Sequence, residues 1–447
     1  MNGGTNILKA QKRVATFRVA NTVDLAARLL AWAKSEERIC LLDSNTSKVK
    51  HRYTSHDLIF AAGAQSELSC ARNGRGSFER LRDYQQAGRD WIFGYLSYDL
   101  KNEVEDLHSG HPDHLDFPSL HFFRARHLFL LRGNQLRIES YELEPERIWS
   151  ELKRTVPLTP AVVPTRPQRF HHRMPKAEYL AKVERIRQHI IAGDVYEMNF
   201  CQEFYAEDYR LEPAPTFLQL QHIAKAPFSA YYRCDDRYLL SASPERFMKK
   251  EGDRIISQPI KGTTARHPDP VRDRAQGAAL RQSEKDRAEN VMIVDLVRND
   301  LARSCRPGSV QVEELFGIYP FEQVYQMIST VVGTLRPELD GIEALRRAFP
   351  MGSMTGAPKV MSLKLIEAYE RSRRGLYSGA IGYFDPAGDF DFNVVIRSLL
   401  YNATHRYLSF QVGGAIVYDS VAEQEYEECL LKAKGLLQLL NARVAED

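Results

Sequence analysis

The chain has 447 residues, 27% of them charged and 43% hydrophobic, and its formal net charge is +3. This composition is typical of a folded soluble protein, and so small a net charge gives no basic signature of nucleic-acid binding. No segment approaches the roughly 20 apolar residues of a membrane span, and the six scattered cysteines without a CxxC pair indicate neither a zinc site nor a disulfide framework. We therefore expect a cytoplasmic protein.

Strands dominate the predicted structure of the first 150 or so residues. Apolar and polar residues alternate in "RICLLDS", "RDWIFGYLSYDL", "LHFFRARHLFLLRG" and "QLRIESYELE". Five prolines then fall within the 21 residues "TVPLTPAVVPTRPQRFHHRMP", and proline neither continues a helix nor suits a central strand. We therefore place a linker near residues 155–170 and predict two domains, 1–165 and 166–447.

Helices and strands are mixed after the linker. The segment "KAEYLAKVERIRQHIIAG" has apolar residues at helical spacing and Gly193 where a C-cap belongs. Strands are predicted in "DRYLLSAS", "DRIISQPI", "GLYSGAIGYF" and "RYLSFQVGGAIVYDS". Because regular βαβ alternation is absent, the pattern predicts an α+β fold with large antiparallel sheets.

Two ionisable residues lie at the ends of predicted strands, Glu245 in "SASPERF" and Lys261 in "SQPIKGTTAR". Their separation, 261 − 245 = 16 residues, fits adjacent antiparallel strands joined by a turn. A carboxyl group and an amine in one closed site can act as general acid and nucleophile, provided that the lysine loses its proton. From the residues alone, a solvated surface lysine is the alternative.

Two predicted helices each carry an acidic pair. In "SEKDRAENVMIVDLVRNDLARSC", Asp286 and Glu289 share one face with Asn290, and "SVAEQEYEECLLKAKGLLQLL" places Glu425 one turn before Glu428. The apolar residues expected to be buried on the first helix are Val291, Ile293, Val294, Leu296 and Val297. If the helices converge, carboxylates without His or Cys favour Mg²⁺ over zinc. Two exposed, salt-bridged helix faces are the alternative.

A glycine-rich turn precedes the predicted helix in "FPMGSMTGAPKVMSLKLIEAYE". Residues able to offer an anion N–H groups, hydroxyls or positive charge are Gly352, Ser353, Thr355, Gly356 and Lys359. A plain strand-to-helix turn is the alternative. The basic run Arg371, Arg373 and Arg374 is interpreted as a solvated helix end.

Two further features suit an anionic ligand. "QVGGAIVYDS" offers a second glycine-bearing turn at Gly413–Gly414, and Arg397 lies in the apolar predicted strand "DFNVVIRSLL", where it needs a buried anionic partner. With the acidic helices, these parts describe a pocket for a small polycarboxylate. Mg²⁺ would bind one carboxylate, and basic and N–H donors another.

Seven motifs resemble those of the chorismate-utilising enzymes: "SPERF", "PIKGT", "KDRAENVMIVDLVRND", "GSMTGAPK", "SGAIGYF", "VVIRS" and "EYEECLLKA". The resemblance is dense from about residue 175 to 440. It implies the large two-sheet antiparallel α+β core of anthranilate synthase component I, flanked by helices, and an Mg²⁺-dependent attack on chorismate.

The resemblance also assigns roles to residues. The expected magnesium ligands are Glu289 and Glu428 directly, with Asp286 and Glu425 acting through water. The residues expected to bind the carboxylates of chorismate are Ser353, Arg397, Gly413, Gly414 and Lys432. By the same match, Glu245 protonates the hydroxyl group that departs from C4.

Lys261 distinguishes the branches of the family. Members that form anthranilate resemble "PIAGT" here, whereas members that aminate C4 resemble "PIKGT", and their lysine attacks C2 to give a covalent intermediate that ammonia displaces. We therefore predict Lys261 as the nucleophile of a C4-aminating enzyme in folate and p-aminobenzoate biosynthesis. Its ammonia is expected from a separate glutamine amidotransferase, because this chain shows no such domain.

Three residues depart from the family pattern. Glu197 replaces the glutamine of "YQxN", at the position where isochorismate-type members have a water-activating lysine. Gln326 stands where a substrate-contacting histidine is typical, and Ala415 replaces the last glycine of a GGG-like turn. The alternative functions are anthranilate synthase component I, which Lys261 disfavours, and a non-catalytic sensor, which the intact carboxylates disfavour.

"LLDS", with Leu42, Asp43 and Ser44, resembles the tryptophan-pocket motif of the family's aminating members. Tryptophan would be either a feedback ligand or a fixed structural one. An ordinary strand is the alternative.

Overall fold

The computed structural model describes residues 11–45, 53–322 and 324–445, within which the chain forms 21 strands and 11 α-helices. The strands are β1 (Arg13–Arg18), β2 (Arg38–Asp43), β3 (Leu58–Cys70), β4 (Ile92–Leu96), β5 (Leu120–Arg132), β6 (Gln135–Ser140), β7 (Gln168–His172), β8 (Glu197–Ala206), β9 (Phe228–Cys234), β10 (Arg237–Ser243), β11 (Arg246–Glu251), β12 (Arg254–Gln258), β13 (Ile260–Ala265), β14 (Gln311–Pro320), β15 (Val324–Thr334), β16 (Gly356–Ala357), β17 (Ala380–Phe384), β18 (Phe390–Val394), β19 (Ser398–Asn402), β20 (Tyr407–Ile416) and β21 (Ala442–Val444). The helices are α1 (Leu25–Trp32), α2 (Ser77–Gly88), α3 (Lys101–Val104), α4 (Pro145–Arg154), α5 (Lys176–Ile191), α6 (Pro213–Ala224), α7 (Pro270–Gln282), α8 (Glu284–Ala302), α9 (Gly341–Ala348), α10 (Lys359–Tyr369) and α11 (Ala422–Leu439).

Two long strands, β3 and β5, connect two antiparallel sheets. One sheet runs from β6 through β5, β3, β2, β9, β10, β19 and β20 to β8. The other runs from β5 through β4, β17, β18, β11 and β12 to β15. The β3–β5 register shifts between Ala64 and Ser66, and such a bulge bends a strand where it passes from one sheet to the next.

Alternation along the strands produces two hydrophobic cores. In β2, Cys40 belongs to a core shared with Phe93 and Phe392 of the second sheet, whereas Leu41 faces the opposite way. That opposite face packs against α1, α4, α5, α6 and α11. The predicted α+β fold with two large antiparallel sheets and flanking helices is therefore confirmed.

Most predicted strands and helices are found, with exceptions at Arg397 and Gly413–Gly414 that are described below. Residues 155–167 lie outside helices and strands, as expected of the proline-rich linker. The division into two domains, residues 1–165 and 166–447, stays a prediction. Strands from both ranges pair with each other in both sheets, as β2 does with β9 and β4 with β17. In the described part of the chain, no helix has the length and apolar character needed to cross a membrane.

Candidate active site

Glu245 lies directly before β11, and its carboxyl group is buried. The hairpin of β11 and β12 pairs Arg246 with Gln258. Glu245, which precedes β11, and Lys261, which follows β12, therefore lie at the same end of two antiparallel strands, as predicted. Burial raises the pKa of Glu245 to about 7, against the opposing effects of a hydrogen bond with Ser353 and the charge of Lys261. A carboxyl group partly protonated at neutral pH suits a general acid.

Lys261 lies in a bulge of β13. The register with β15 shifts between Ile260 and Thr263, and Gly262 there adopts a φ of +94°. A Cβ at Gly262 would lie 3.1 Å from the Asp286 side chain, so glycine lets β13 approach α8 closely. The half-buried Lys261 carries a charge that acts on three carboxyl groups, those of Glu245, Glu197 and Glu428.

Asn290 fixes the backbone of Lys261 to helix α8. Asn290 is fully buried, its Nδ2 donates to the carbonyl of Lys261 at 3.4 Å, and its Oδ1 accepts from the hydroxyl of Ser329 at 2.6 Å. The apolar face of α8 is buried as predicted at Ile293, Val294, Leu296 and Val297. The prediction for Val291 is wrong, because this side chain is exposed on the opposite side of the helix.

The glycine-rich turn brings Ser353 to Glu245 but uses its other polar groups internally. Ser353 lies in a 3₁₀ turn, Gly352–Met354. The buried hydroxyl of Thr355 donates to the carbonyls of Met351 and Gly352, and both oxygens of Asp300 accept from Lys359 at 2.7 and 2.8 Å. Of the side chains suggested for anion binding in this turn, only Ser353 therefore remains available.

Arg374 is not part of a solvated helix end, contrary to the sequence-based interpretation. It is 2% exposed and forms a buried ion pair with Glu370 at 2.6 Å. Its guanidinium donates to the carbonyls of Met354 at 2.6 Å and Asn199 at 3.0 Å, which connects the glycine-rich turn to β8. The sequence, with three arginines in four residues, does not indicate which of them is buried, because this depends on the packing of segments distant in the chain.

Helix α11 brings its acidic pair over strand β20. Lys432 binds Glu428 at 2.7 Å and donates to the carbonyl of Gly413 at 2.8 Å, and Glu425 accepts from Ser420 at 2.7 Å. Burial raises the pKa of Glu425, whereas at Glu428 the charge and hydrogen bond of Lys432 outweigh burial and lower the pKa.

The sequence predicted a turn at Gly413 and Gly414. The two glycines instead lie inside β20, opposite Cys201 and Phe200. A Cβ on Gly414 would lie 3.2 Å from Glu425 Oε2 and 3.6 Å from Lys432 Nζ. The missing side chain therefore leaves the strand backbone open directly beneath the charged groups of α11.

The α8 pair, Asp286 and Glu289, is half-buried, and Lys285 on the same helix exerts its charge on Glu425 and Glu428. The start of α8 therefore faces α11. Within the described ranges, no three or more His, Cys, Asp or Glu side chains are grouped closely enough to hold a metal ion. The two pairs nevertheless offer only carboxylate oxygens, and this donor chemistry fits Mg²⁺.

Arg397 is not inside a strand, as the sequence suggested, but between β18 and β19 with a φ of +54°. Its side chain is exposed and donates to the carbonyl of Lys432 at 3.2 Å, and the structure records no ion pair between Arg397 and an acidic side chain of the described residues. Desolvation lowers the pKa of this guanidinium, against the opposing charge of Glu428. Gln326 is buried on β15, and its Oε1 has no hydrogen-bond partner among the described groups.

A cavity of about 330 Å³ adjoins the paired residues Glu245 and Ser353 and is lined also by Pro259 and Asp300. A second cavity of about 490 Å³ is lined by Leu42, Asp43 and Ser44 together with apolar residues of β3, β9 and β17. Its occupant stays a prediction.

Replacing Glu245 by Gln is expected to stabilise the fold at alkaline pH. Because the carboxyl pKa is about 7 in the folded chain against 4.5 for the isolated group, the folded state holds a proton that the unfolded state has already lost between these values. The free energy of unfolding of the wild type therefore falls as pH rises through this window, by about 3 kcal/mol at most. Urea denaturation at pH 8 should show Glu245→Gln to be the more stable protein.

At pH 4 the advantage of Glu245→Gln should vanish, because both states of the wild type are then protonated. Glu207→Gln, at an exposed position, serves as the control and should show no such pH dependence. Equal pH slopes for wild type and Glu245→Gln would contradict the raised pKa.

Comparisons with known proteins show to which family this chain belongs. A sequence model described as chorismate binding enzyme matches residues 36–438. The chain is 38% identical over 353 residues to aminodeoxychorismate synthase component 1 of Klebsiella aerogenes, covering 78% of this chain and 77% of that one. It is 42% identical over 267 residues to the protein of the same name from Escherichia coli K12, covering 60% of this chain and 58% of that one.

Solved structures show a similar fold. Anthranilate synthase component I from Streptococcus pneumoniae TIGR4 superposes with a TM-score of 0.74 at 25% identity, covering 87% of this chain and 95% of that one. The menaquinone-specific isochorismate synthase MenF of Escherichia coli gives a TM-score of 0.74 at 17% identity, which supports the fold alone.

Proposed function

Because the chain belongs to the chorismate-binding enzymes, we propose that it is the chorismate-aminating component of aminodeoxychorismate synthase, forming 4-amino-4-deoxychorismate for p-aminobenzoate and folate. The observation that carries the proposal is that the paired strands β11 and β12 bring the buried acid Glu245 and Lys261 to the same end of one hairpin. A lysine nucleophile and a carboxyl group with a pKa of about 7 supply the two groups that substitution at C4 through a covalent intermediate requires.

In the proposed reaction, the neutral amine of Lys261 attacks C2 of chorismate, and both conjugated ring double bonds shift, from C1=C2 to C1=C6 and from C5=C6 to C4=C5, as the C4–O bond breaks. Glu245 gives its proton to the departing hydroxyl group, which leaves as water. Ammonia then attacks C4, both double bonds shift back, and Lys261 departs from C2. The overall change is replacement of the C4 hydroxyl by an amino group, with no oxidation or reduction.

Substrate binding is assigned to residues of the glycine-rich turn, of β15 and β20 and of α11, together with Arg397. We propose that Ser353, Arg397, the open backbone at Gly413 and Gly414, and Lys432 bind the carboxylates of chorismate, and that Gln326 contacts the substrate through its free acceptor. Arg397 and Lys432 are already adjacent, through the hydrogen bond to the Lys432 carbonyl. A dicarboxylate needs such a cationic region.

Mg²⁺ is the proposed cofactor. Glu289 and Glu428 would hold the ion directly, and Asp286 and Glu425 through water. When bound, the ion supplies charge neutralisation and orientation for a substrate carboxylate. Lys432 binds Glu428 at 2.7 Å, so the proposed carboxylate-binding lysine lies beside a proposed metal ligand.

The name "component 1" of the relatives implies a second component. We propose that a separate glutamine amidotransferase subunit supplies the ammonia. The cytoplasmic location inferred from the sequence stays a prediction, with which the six free, buried cysteines are compatible.

The proposal is tested by incubating the purified chain with chorismate, Mg²⁺ and an ammonium salt, with and without aminodeoxychorismate lyase. p-Aminobenzoate should appear only with the lyase, and the intact protein should gain the mass of a chorismate-derived adduct. Anthranilate as the product would instead establish the alternative function, anthranilate synthase component I. The absence of any product, even with an amidotransferase partner, would indicate a binding protein.

We propose tryptophan as the ligand of the second cavity. Its apolar wall includes Phe228 and Tyr383, and Asp43 offers a partly buried carboxyl group for the ligand's ammonium. Burial raises the pKa of Asp43 to about 6, so it is mostly charged at neutral pH and can pair with a cation. Arg246, which follows Glu245 in the chain, lines both cavities.

Calorimetric titration with L-tryptophan should show binding, and Asp43→Asn should weaken it by about 10-fold or more, the usual effect of losing a charge-assisted hydrogen bond. L-Phenylalanine serves as the control ligand. Inhibition of chorismate turnover by tryptophan would identify a feedback ligand, and tight binding without inhibition a structural one. No heat of binding, with no tryptophan carried through purification, would contradict the assignment.

A further inference from the structure

Glu197 is a buried carboxylate to which the roles above assign no task. It begins β8, is 3% exposed, and its Oε2 has no hydrogen-bond partner among the described residues. An unpaired carboxylate oxygen away from water costs free energy of folding. A purely structural role therefore does not account for this side chain, whereas a role toward a reacting group does.

The backbone of Glu197 is held from two sides. It pairs with Ala357 of β16, and its carbonyl accepts from the hydroxyl of Ser362 at 3.4 Å. A Cβ on Gly356 would lie only 2.2 Å from the same carbonyl oxygen, so glycine permits this close contact. The strand end is therefore fixed while the Oε2 atom stays free.

The face of β8 that carries Glu197 is the one that meets the glycine-rich turn. Two residues along the strand, Asn199 projects to the same face, and its Nδ2 donates to the carbonyl of Ser353 at 3.4 Å. Because Ser353 and Glu245 line the same cavity, the face of β8 that carries Glu197 meets the turn that borders the proposed reaction site.

The charges around Glu197 include the proposed nucleophile. Burial raises the pKa of Glu197, the charge of Lys261 on β13 opposes this effect, and the charge of Glu289 on α8 adds to it. The other lysines of neighbouring elements are engaged, Lys359 by Asp300 and Lys432 by Glu428. Among the described residues, Lys261 is therefore the cation whose charge lowers the pKa of Glu197.

The charge of Lys261 acts on the carboxyl groups of Glu245, Glu428 and Glu197. Glu245 is the proposed acid and Glu428 binds Lys432 at 2.7 Å, whereas Glu197 Oε2 has no hydrogen-bond partner among the described groups. Resting on the proposed function, we propose that Glu197 is the catalytic base that takes the proton of the Lys261 ammonium group before the amine attacks C2. The glutamine typical of the family at this position lacks such a basic oxygen.

The proton balance is complete within the site. An N–H bond of the Lys261 ammonium breaks as an O–H bond forms at Glu197 Oε2, which leaves a neutral amine and a carboxylic acid. The amine lone pair then forms the C2–N bond, and the departing hydroxyl group takes the proton of Glu245. When ammonia displaces Lys261 from C2, the lysine leaves as a neutral amine. The ammonium group formed at C4 then gives a proton to the Glu245 carboxylate, and Glu197 returns its proton to Lys261.

Rapid-mixing mass spectrometry of the Lys261 adduct tests this role without relying on full turnover. With chorismate and Mg²⁺ but no ammonium, the wild type should form the adduct at pH 7. Glu197→Gln should form it about 100-fold more slowly, as is typical for loss of a general base. The rate of the variant should rise with pH up to pH 9, because hydroxide then removes the proton, while chorismate affinity stays unchanged.

Glu207→Gln, near the exposed end of the same strand, is the control and should behave as wild type. Glu197→Asp, which retains a carboxylate, should recover part of the rate and keeps the test valid if the Gln variant is unstable. Adduct formation at the wild-type rate and pH profile in Glu197→Gln would overturn the base assignment while leaving the function intact. If the wild type forms neither adduct nor product, the proposed function itself fails.

Discussion

Replacing Lys261 by Ala is expected to remove the formation of aminodeoxychorismate almost completely. The rate of aminodeoxychorismate formation should fall about 1,000-fold or more. Alanine cannot form the covalent intermediate, and the other residues of the site cannot replace the missing nucleophile. The measurement is chromatographic separation of products with lyase present, combined with intact mass. Residual anthranilate formed by direct amination at C2 is compatible with this result, since sister enzymes resemble "PIAGT" here.

Two control variants separate the nucleophile from its charge. Lys261→Arg retains a cation near Glu245 and Glu197 but has no nucleophilic amine, so it should bind chorismate without forming an adduct. Lys364→Ala removes an exposed lysine on α10 and should leave turnover unchanged. Full aminodeoxychorismate formation by Lys261→Ala would refute the covalent role.

Replacing Glu289 by Gln is expected to abolish Mg²⁺-dependent turnover. The change removes one negative charge from the α8 pair while keeping the shape of the side chain. Cation binding therefore becomes weaker without a loss of packing. Because altered outer-shell groups already cost 10–100-fold in metal affinity, a direct ligand should cost about 100-fold or more. Calorimetric titration with Mg²⁺ in the presence of chorismate measures this directly.

Glu284→Gln is the matched control, because Glu284 is an exposed residue in the first turn of the same helix. It should bind Mg²⁺ as the wild type does. An unchanged Mg²⁺ titration in Glu289→Gln would remove this residue from the proposed ligand set, and the Glu425–Glu428 pair would then have to bind the ion without it.

Local patterns account for the part of the site that the sequence predicted. The acidic pairs were placed on helices because residues three and four apart share a helix face, and α8 and α11 have that form. The order of Glu245 and Lys261 on antiparallel strands followed from their separation. Errors arose where neighbours distant in sequence determine exposure, as at Val291 and Arg397.

The α+β fold class, the acidic pairs on helices and the lysine between Ile260 and Gly262 could be recognised from the order of the residues. Which carboxyl groups are buried follows from the folded arrangement, and with it the raised pKa of Glu245 and the Glu197 Oε2 atom that has no hydrogen-bond partner among the described groups. The folded arrangement also decided that Arg374 connects the glycine-rich turn to β8 while Lys359 is engaged by Asp300. The reason is physical: strand and helix periodicity depend on neighbours along the chain, whereas desolvation and charge depend on every group within several ångströms.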